Sequence, residues 1–161
     1  MAINVNFKDD PDRFVSSHWV HTKTGDNKEL VTLTGIVVVD LLVALQDWHR
    51  DTLKFGLRFP GDIVPPIRPG GGNSKILAWK FQVEHWAPFV TINAIAAGAS
   101  ADYSGWAVDA FRGPGNVELY GDGMVNLEAD LAVRGIGGGV VIRVGYSLTL
   151  SGMLVEYETG V

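Results

Sequence analysis

The chain has 161 residues, 47% of them apolar and 19% charged, with a net charge of −5 at neutral pH. That length and apolar share exclude a disordered chain and fit one domain, 1–161. Thirteen Lys and Arg, scattered along the chain, argue against direct binding of duplex nucleic acid, which needs clustered cations, and the absence of Cys excludes a disulfide framework, a thiolate metal site and a cysteine nucleophile.

In chain order, Ala2 to Lys8 reads with period two, with Ile3, Val5 and Phe7 on one face, and predicts a half-buried strand. Asp9, Asp10 and Asp12 follow in a polar turn; they lack the spacing of a calcium loop. Val15 to Thr24 is a polar strand closed by Gly25-Asp26-Asn27. Leu30 to Val39 is β-branched and apolar on both faces, and predicts a central strand. Over 40–50 the period changes. Leu41, Leu45 and Trp48 recur at i, i+4 and i+7 behind Asp40 as a helix cap, which predicts one short helix near 40–50; a continued strand is the alternative.

Thr52 to Phe59 alternates again. Pro60 to Ser74 holds four prolines and four glycines, and so predicts a long loop without regular structure. Lys75 to Trp86, with Leu77, Trp79, Phe81 and Val83 on one face, and Phe89 to Ala97 predict two strands. Gly105 to Arg112, Val117 to Tyr120, Met124 to Arg134, Val140 to Leu150 and Met153 to Tyr157 complete the set. They are separated by Gly-rich turns at 121–123, 135–139 and 151–152. About ten strands with turns every 8 to 12 residues predict an all-β, mainly antiparallel sandwich, a jelly-roll-like fold or a barrel.

Candidate site residues are few. Trp19 lies in a polar strand and Trp86 precedes Pro88, so these two indoles are candidates for contact with a partner or ligand. Trp48 and Trp79 fall on apolar stripes and are expected in the core. Ile63, Val64, Ile67 and Arg68 make the 60–74 loop a candidate contact arm. Asp47 and Asp51, one helical turn apart with His49 between them, and His85 elsewhere, are weak acid–base candidates. A metal site is not expected: His18 and His21 are three apart, which puts them on opposite faces of a strand. No cofactor-binding motif is present, and the glycine clusters at 70–72 and 135–139 lack the strand–helix setting of a phosphate loop.

Mean hydropathy is +0.15, yet no stretch is long and apolar enough for a membrane helix. The first residues carry no basic-then-apolar signal, so the expected location is the cytoplasm or a released, assembled particle. An apolar surplus with strands apolar on both faces needs a second cover, and a neighbouring copy supplies one. The leading expectation is a non-enzymatic, self-associating structural protein, such as a shell, tail or surface component of the kind found in viruses and phages. The alternative is a sandwich or barrel module that binds an apolar small molecule or a sugar. An enzyme built on His49, His85 and scattered Asp ranks third, and a membrane barrel fourth.

Overall fold

The computed structural model describes residues 2–43, 48–72, 74–96, 105–120, 123–134 and 138–160. The strands, in chain order, are β1 (Ala2–Asn6), β2 (Phe14–Gly25), β3 (Lys28–Val43), β4 (Trp48–Arg58), β5 (Arg68–Pro69), β6 (Lys75–Ala96), β7 (Gly105–Arg112), β8 (Val117–Glu118), β9 (Met124–Arg134) and β10 (Gly138–Gly160). They form two sheets that pack face to face as an all-β sandwich. One has four strands in the order β1-β4-β9-β7. The other has the path β2-β3-β10-β6-β5, with β8 paired to β6. Every pairing is antiparallel except β1 with β4, which is parallel.

The period-two pattern sets which side chains meet between the sheets. Leu53, Phe55 and Leu57 of β4 and Val125, Leu127, Leu131 and Val133 of β9 face inward from the four-stranded sheet. Val31, Leu33, Val37 and Val39 of β3 oppose them, with Ile142, Val144, Tyr146, Leu148 and Leu150 of β10. Phe59 and Phe81 meet across the core with ring centres 5.0 Å apart. Tyr146 contacts Phe55 at 5.7 Å and Phe14 at 6.3 Å.

Several expectations change on the structure. The helix near 40–50 is not formed at its described positions: β3 runs through Val43 and β4 begins at Trp48, while 44–47 lie outside the described residues. The β-branched run that ends in Val39 carries the chain onward as strand, and tertiary pairing with β10 overrides the helical spacing of Leu41 and Trp48. Trp48, expected on a buried helical stripe, is 44% exposed on a strand. The breaks expected at 87–88 and 151–152 are also absent. β6 and β10 are single strands of 22 and 23 residues, and the second break is instead a register shift between Ser151 and Gly152. A bulge absorbs the irregularity without ending the ladder. Pro88 sits in β6 where, among the described residues, β10 alone flanks it, an edge position that tolerates a residue without an N–H. The 60–74 loop contains a 3₁₀ turn, Gly61–Ile63, and the two-residue β5.

The turn at 25–28 forms as its sequence predicts. Asn27 takes the left-handed conformation (φ 56°), which Asn tolerates better than most residues. Its carbonyl accepts from the Leu154 N–H at 2.7 Å. No helix among the described residues is long and apolar enough to cross a membrane.

Candidate functional site

The least satisfied element of the fold is β2. It pairs with β3 from Ser16↔Ile36 to Lys23↔Glu29, and no strand among the described residues bonds its other edge. Only Phe14 of its twelve residues is buried, against Phe7 at 5.6 Å. Beyond Phe14 every residue of the strand is exposed or at most half-buried. Ser17, Trp19 and His21 are rung partners of Gly35, Leu33 and Val31 and share the core-facing side of the sheet. Yet Trp19 is 39% exposed, and on the other side Val20 is 58% exposed.

What reaches the inner side of β2 is the 3₁₀ turn of the 60–74 loop. The His21 Nε2 lies 2.9 Å from the Asp62 carboxylate, and the Trp19 side chain also hydrogen-bonds Asp62. The bond to His21, more than any other contact, holds the Asp62 carboxyl below the usual aspartate range. The other ring nitrogen, Nδ1, stands 3.8 Å from Glu29, whose Oε2 is buried without a hydrogen-bond partner among the described residues. Each ring nitrogen of His21 thus faces a carboxylate, one from the loop and one from β3. Further along the strand, Ser17 hydrogen-bonds the Tyr146 hydroxyl, whose pKa burial raises. The arrangement ties a loop to an edge strand. Among the described residues no group of three or more His, Asp and Glu is placed to hold a metal.

The candidates read from sequence divide between this region and scattered positions. Trp19 is at its centre. Ile63 and Val64 turn inward and pack on the core, whereas Ile67 is 50% exposed. Arg68 forms a bidentate pair with Glu156 of β10, which lowers the Glu156 pKa. Trp86 lies elsewhere, stacked on the backbone at Gly113, where an added Cβ would sit 2.0 Å from the indole. The weak acid–base set is dispersed. Asp47 lies outside the described residues, His49 pairs by backbone with Val133, Asp51 is buried on the inner side of β4, and His85 is exposed on the other sheet opposite Ser151. His21, Asp62 and Glu29 were not legible as a group. They are 41 and 8 residues apart, and only the loop's return path joins them.

The outer side of the four-stranded sheet carries a different surface. Asn4, Asn6, Lys54, Asn126 and Glu128 line a groove of about 520 Å³. Beside it Arg112 donates to Glu128 at 2.8 Å and to Asp130 at 2.7 Å, and Thr52 donates to Asp130 at 2.9 Å. These bonds lower both carboxyl pKa values and raise that of Arg112.

Comparison with known proteins gives no match: no family model, no curated protein and no solved structure is significantly similar to the chain.

Proposed function

We propose that the protein is a non-enzymatic structural component that works by self-association, as a subunit of a shell, tail or surface assembly. The observation that supports this reading is β2: a twelve-residue strand paired, among the described residues, with β3 alone, its outer face open and Val15, Trp19 and Val20 exposed. An edge strand left in this state exposes unpaired backbone groups and apolar side chains together, and both are stabilised when another chain covers them. The 60–74 loop, pinned by Asp62 on one side and Arg68 on the other, holds exposed Ile67 as a fixed rather than a mobile contact. Light scattering after size exclusion, at several concentrations, tests the reading. A mass that is a stable multiple of 17.4 kDa is expected. A monomer at every concentration overturns it and moves attention to the polar groove of Asn4, Asn6, Lys54, Asn126 and Glu128 as a site for a polyhydroxylated ligand.

A further inference from the structure

We infer that the partner of β2 is β2 of a second copy, paired antiparallel about a two-fold axis, so that the six-stranded sheets of two chains run on as one sheet. This rests on the self-association reading and adds to it the surface, the partner and the register.

The open edges of the fold differ in how they are protected. Natural sheets protect open edges with short strands, charges, Pro or bulges, because an unprotected edge pairs with any strand that meets it. β1 has five residues. β5 has two, one of them Pro69. β7 carries Asp109 and Arg112 with a register shift between them. β6, where among the described residues β10 alone flanks it, carries Glu84, Pro88 and a register shift opposite Ser151/Gly152. At β3 beyond its pairing with β2, the Arg13 guanidinium donates to the Val38 carbonyl at 3.3 Å. β10 beyond its pairing with β3 carries Glu156 and Glu158. Since the Leu154 N–H points to that side, alternation sends the backbone of both glutamates to the open edge.

β2 has none of these devices over Ser16–Thr22: seven residues without Asp, Glu, Lys, Arg, Pro or Gly and without a register shift. Its register shifts lie at the two ends, between Phe14 and Ser16 and between Lys23 and Gly25, so the run between them is regular. It spans about 23 Å at the usual strand rise.

The strand is also self-complementary. Pairing about Trp19 sets Val15 opposite Lys23, Ser17 opposite His21 and His18 opposite Val20, with the two indoles side by side on the axis. No like charges oppose one another, and an aromatic pair sits at the centre. Pairing about His18 instead sets the two imidazoles opposite one another and Trp19 opposite Ser17, which loses the central indole pair. An isologous interface of this kind closes as a dimer and leaves the outer faces and the 60–74 loop for further contacts.

The absence of native cysteine makes the test direct. Directly opposed strand residues have Cα atoms about 4.5 to 5.5 Å apart, inside the disulfide range of about 4.4 to 6.8 Å. Single variants S17C, H18C, W19C, V20C, H21C and E156C are oxidised under mild conditions, after circular dichroism of the reduced proteins has shown the native fold. W19C is expected to cross-link to itself, and an equimolar mixture of H18C and V20C to give mainly the mixed dimer. This register keeps Trp19 intact in the second experiment. E156C is expected to form dimer at least about tenfold more slowly, since its edge faces no partner. An oligomer by light scattering whose β2 variants cross-link no faster than E156C overturns the inference and leaves the self-association reading standing. A monomer by light scattering overturns both. As a second variant, V20K, at a position already exposed, is expected to keep its fold and shift the mass to monomer; an unchanged oligomer contradicts the pairing.

Discussion

Gly35→Ala is the sharpest probe of how β2 is held. Gly35 lies in β3 opposite Tyr146 on one side and Ser17 on the other. A Cβ built there would lie 2.2 Å from the Ser16 carbonyl oxygen and 2.4 Å from the Tyr146 hydroxyl oxygen. Ordinary carbon–oxygen contact needs about 1 Å more, so the Ser16 carbonyl must retreat by a comparable amount. That carbonyl belongs to the backbone of β2 and cannot swing aside as a flexible side chain would. Moving it strains or breaks the neighbouring rungs of the β2–β3 ladder. One or two lost hydrogen bonds at about 1 kcal/mol each, added to about 1 to 3 kcal/mol for overpacking, give a destabilisation of about 2 to 4 kcal/mol. Urea unfolding followed by Trp fluorescence measures it. Gly61→Ala, where an added Cβ meets nothing within 4 Å, is the control, and its change stays within about 0.5 kcal/mol. The expected pattern is a large loss for Gly35→Ala, with faster amide exchange confined to residues 14–25. A Gly35→Ala protein as stable as Gly61→Ala would refute the close approach of β2 to Tyr146.

Other consequences follow from the same packing. Phe81→Ala removes a fully buried ring that meets Phe59, and should cost about 3 to 5 kcal/mol in urea unfolding; a loss below about 1 kcal/mol contradicts the core described here. Asp62→Asn weakens the contact to His21 and Trp19, so amide exchange should rise over 60–67 while the core strands stay protected; uniform exchange across the chain would mean the loop is not held there. Asp62, Glu128, Asp130, Glu156 and Glu158 all have carboxyl pKa values lowered by their partners. A lowered pKa adds stability above the ordinary values of 3.8 and 4.5 and loses it as pH falls through the depressed ones. Tm should therefore hold steady at mildly acidic to neutral pH and drop below about pH 4. A Tm unchanged in strong acid would show that these pairs add nothing measurable.

Much of the fold was readable because its strands alternate cleanly. Thr52 to Phe59 and Met124 to Arg134 place every second residue in the core, and period two needs no knowledge of partners. The errors came where local pattern and tertiary pairing disagree. Leu41 and Trp48 have helical spacing yet lie in β3 and β4, and Pro88 and Gly152 look like breaks until β10 is seen to carry the ladder past both. The site was half legible. Trp19 stood out as an indole in a polar strand. Its partners did not, because Asp62 and Glu29 reach it from a loop and a neighbouring strand, and sequence spacing carries no record of that approach. The open edge of β2 was invisible for a related reason: a polar strand reads the same whether it lies inside a sheet or at its end.

The central claim is that β2 is covered by a second chain. Hydrogen–deuterium exchange of the wild-type protein, followed in peptides spanning residues 14–25 at dilute and concentrated conditions, tests it most directly. Protection of those amides should rise with concentration while peptides from β4 and β9 stay unchanged. Exchange in β2 that is fast and independent of concentration would contradict the account.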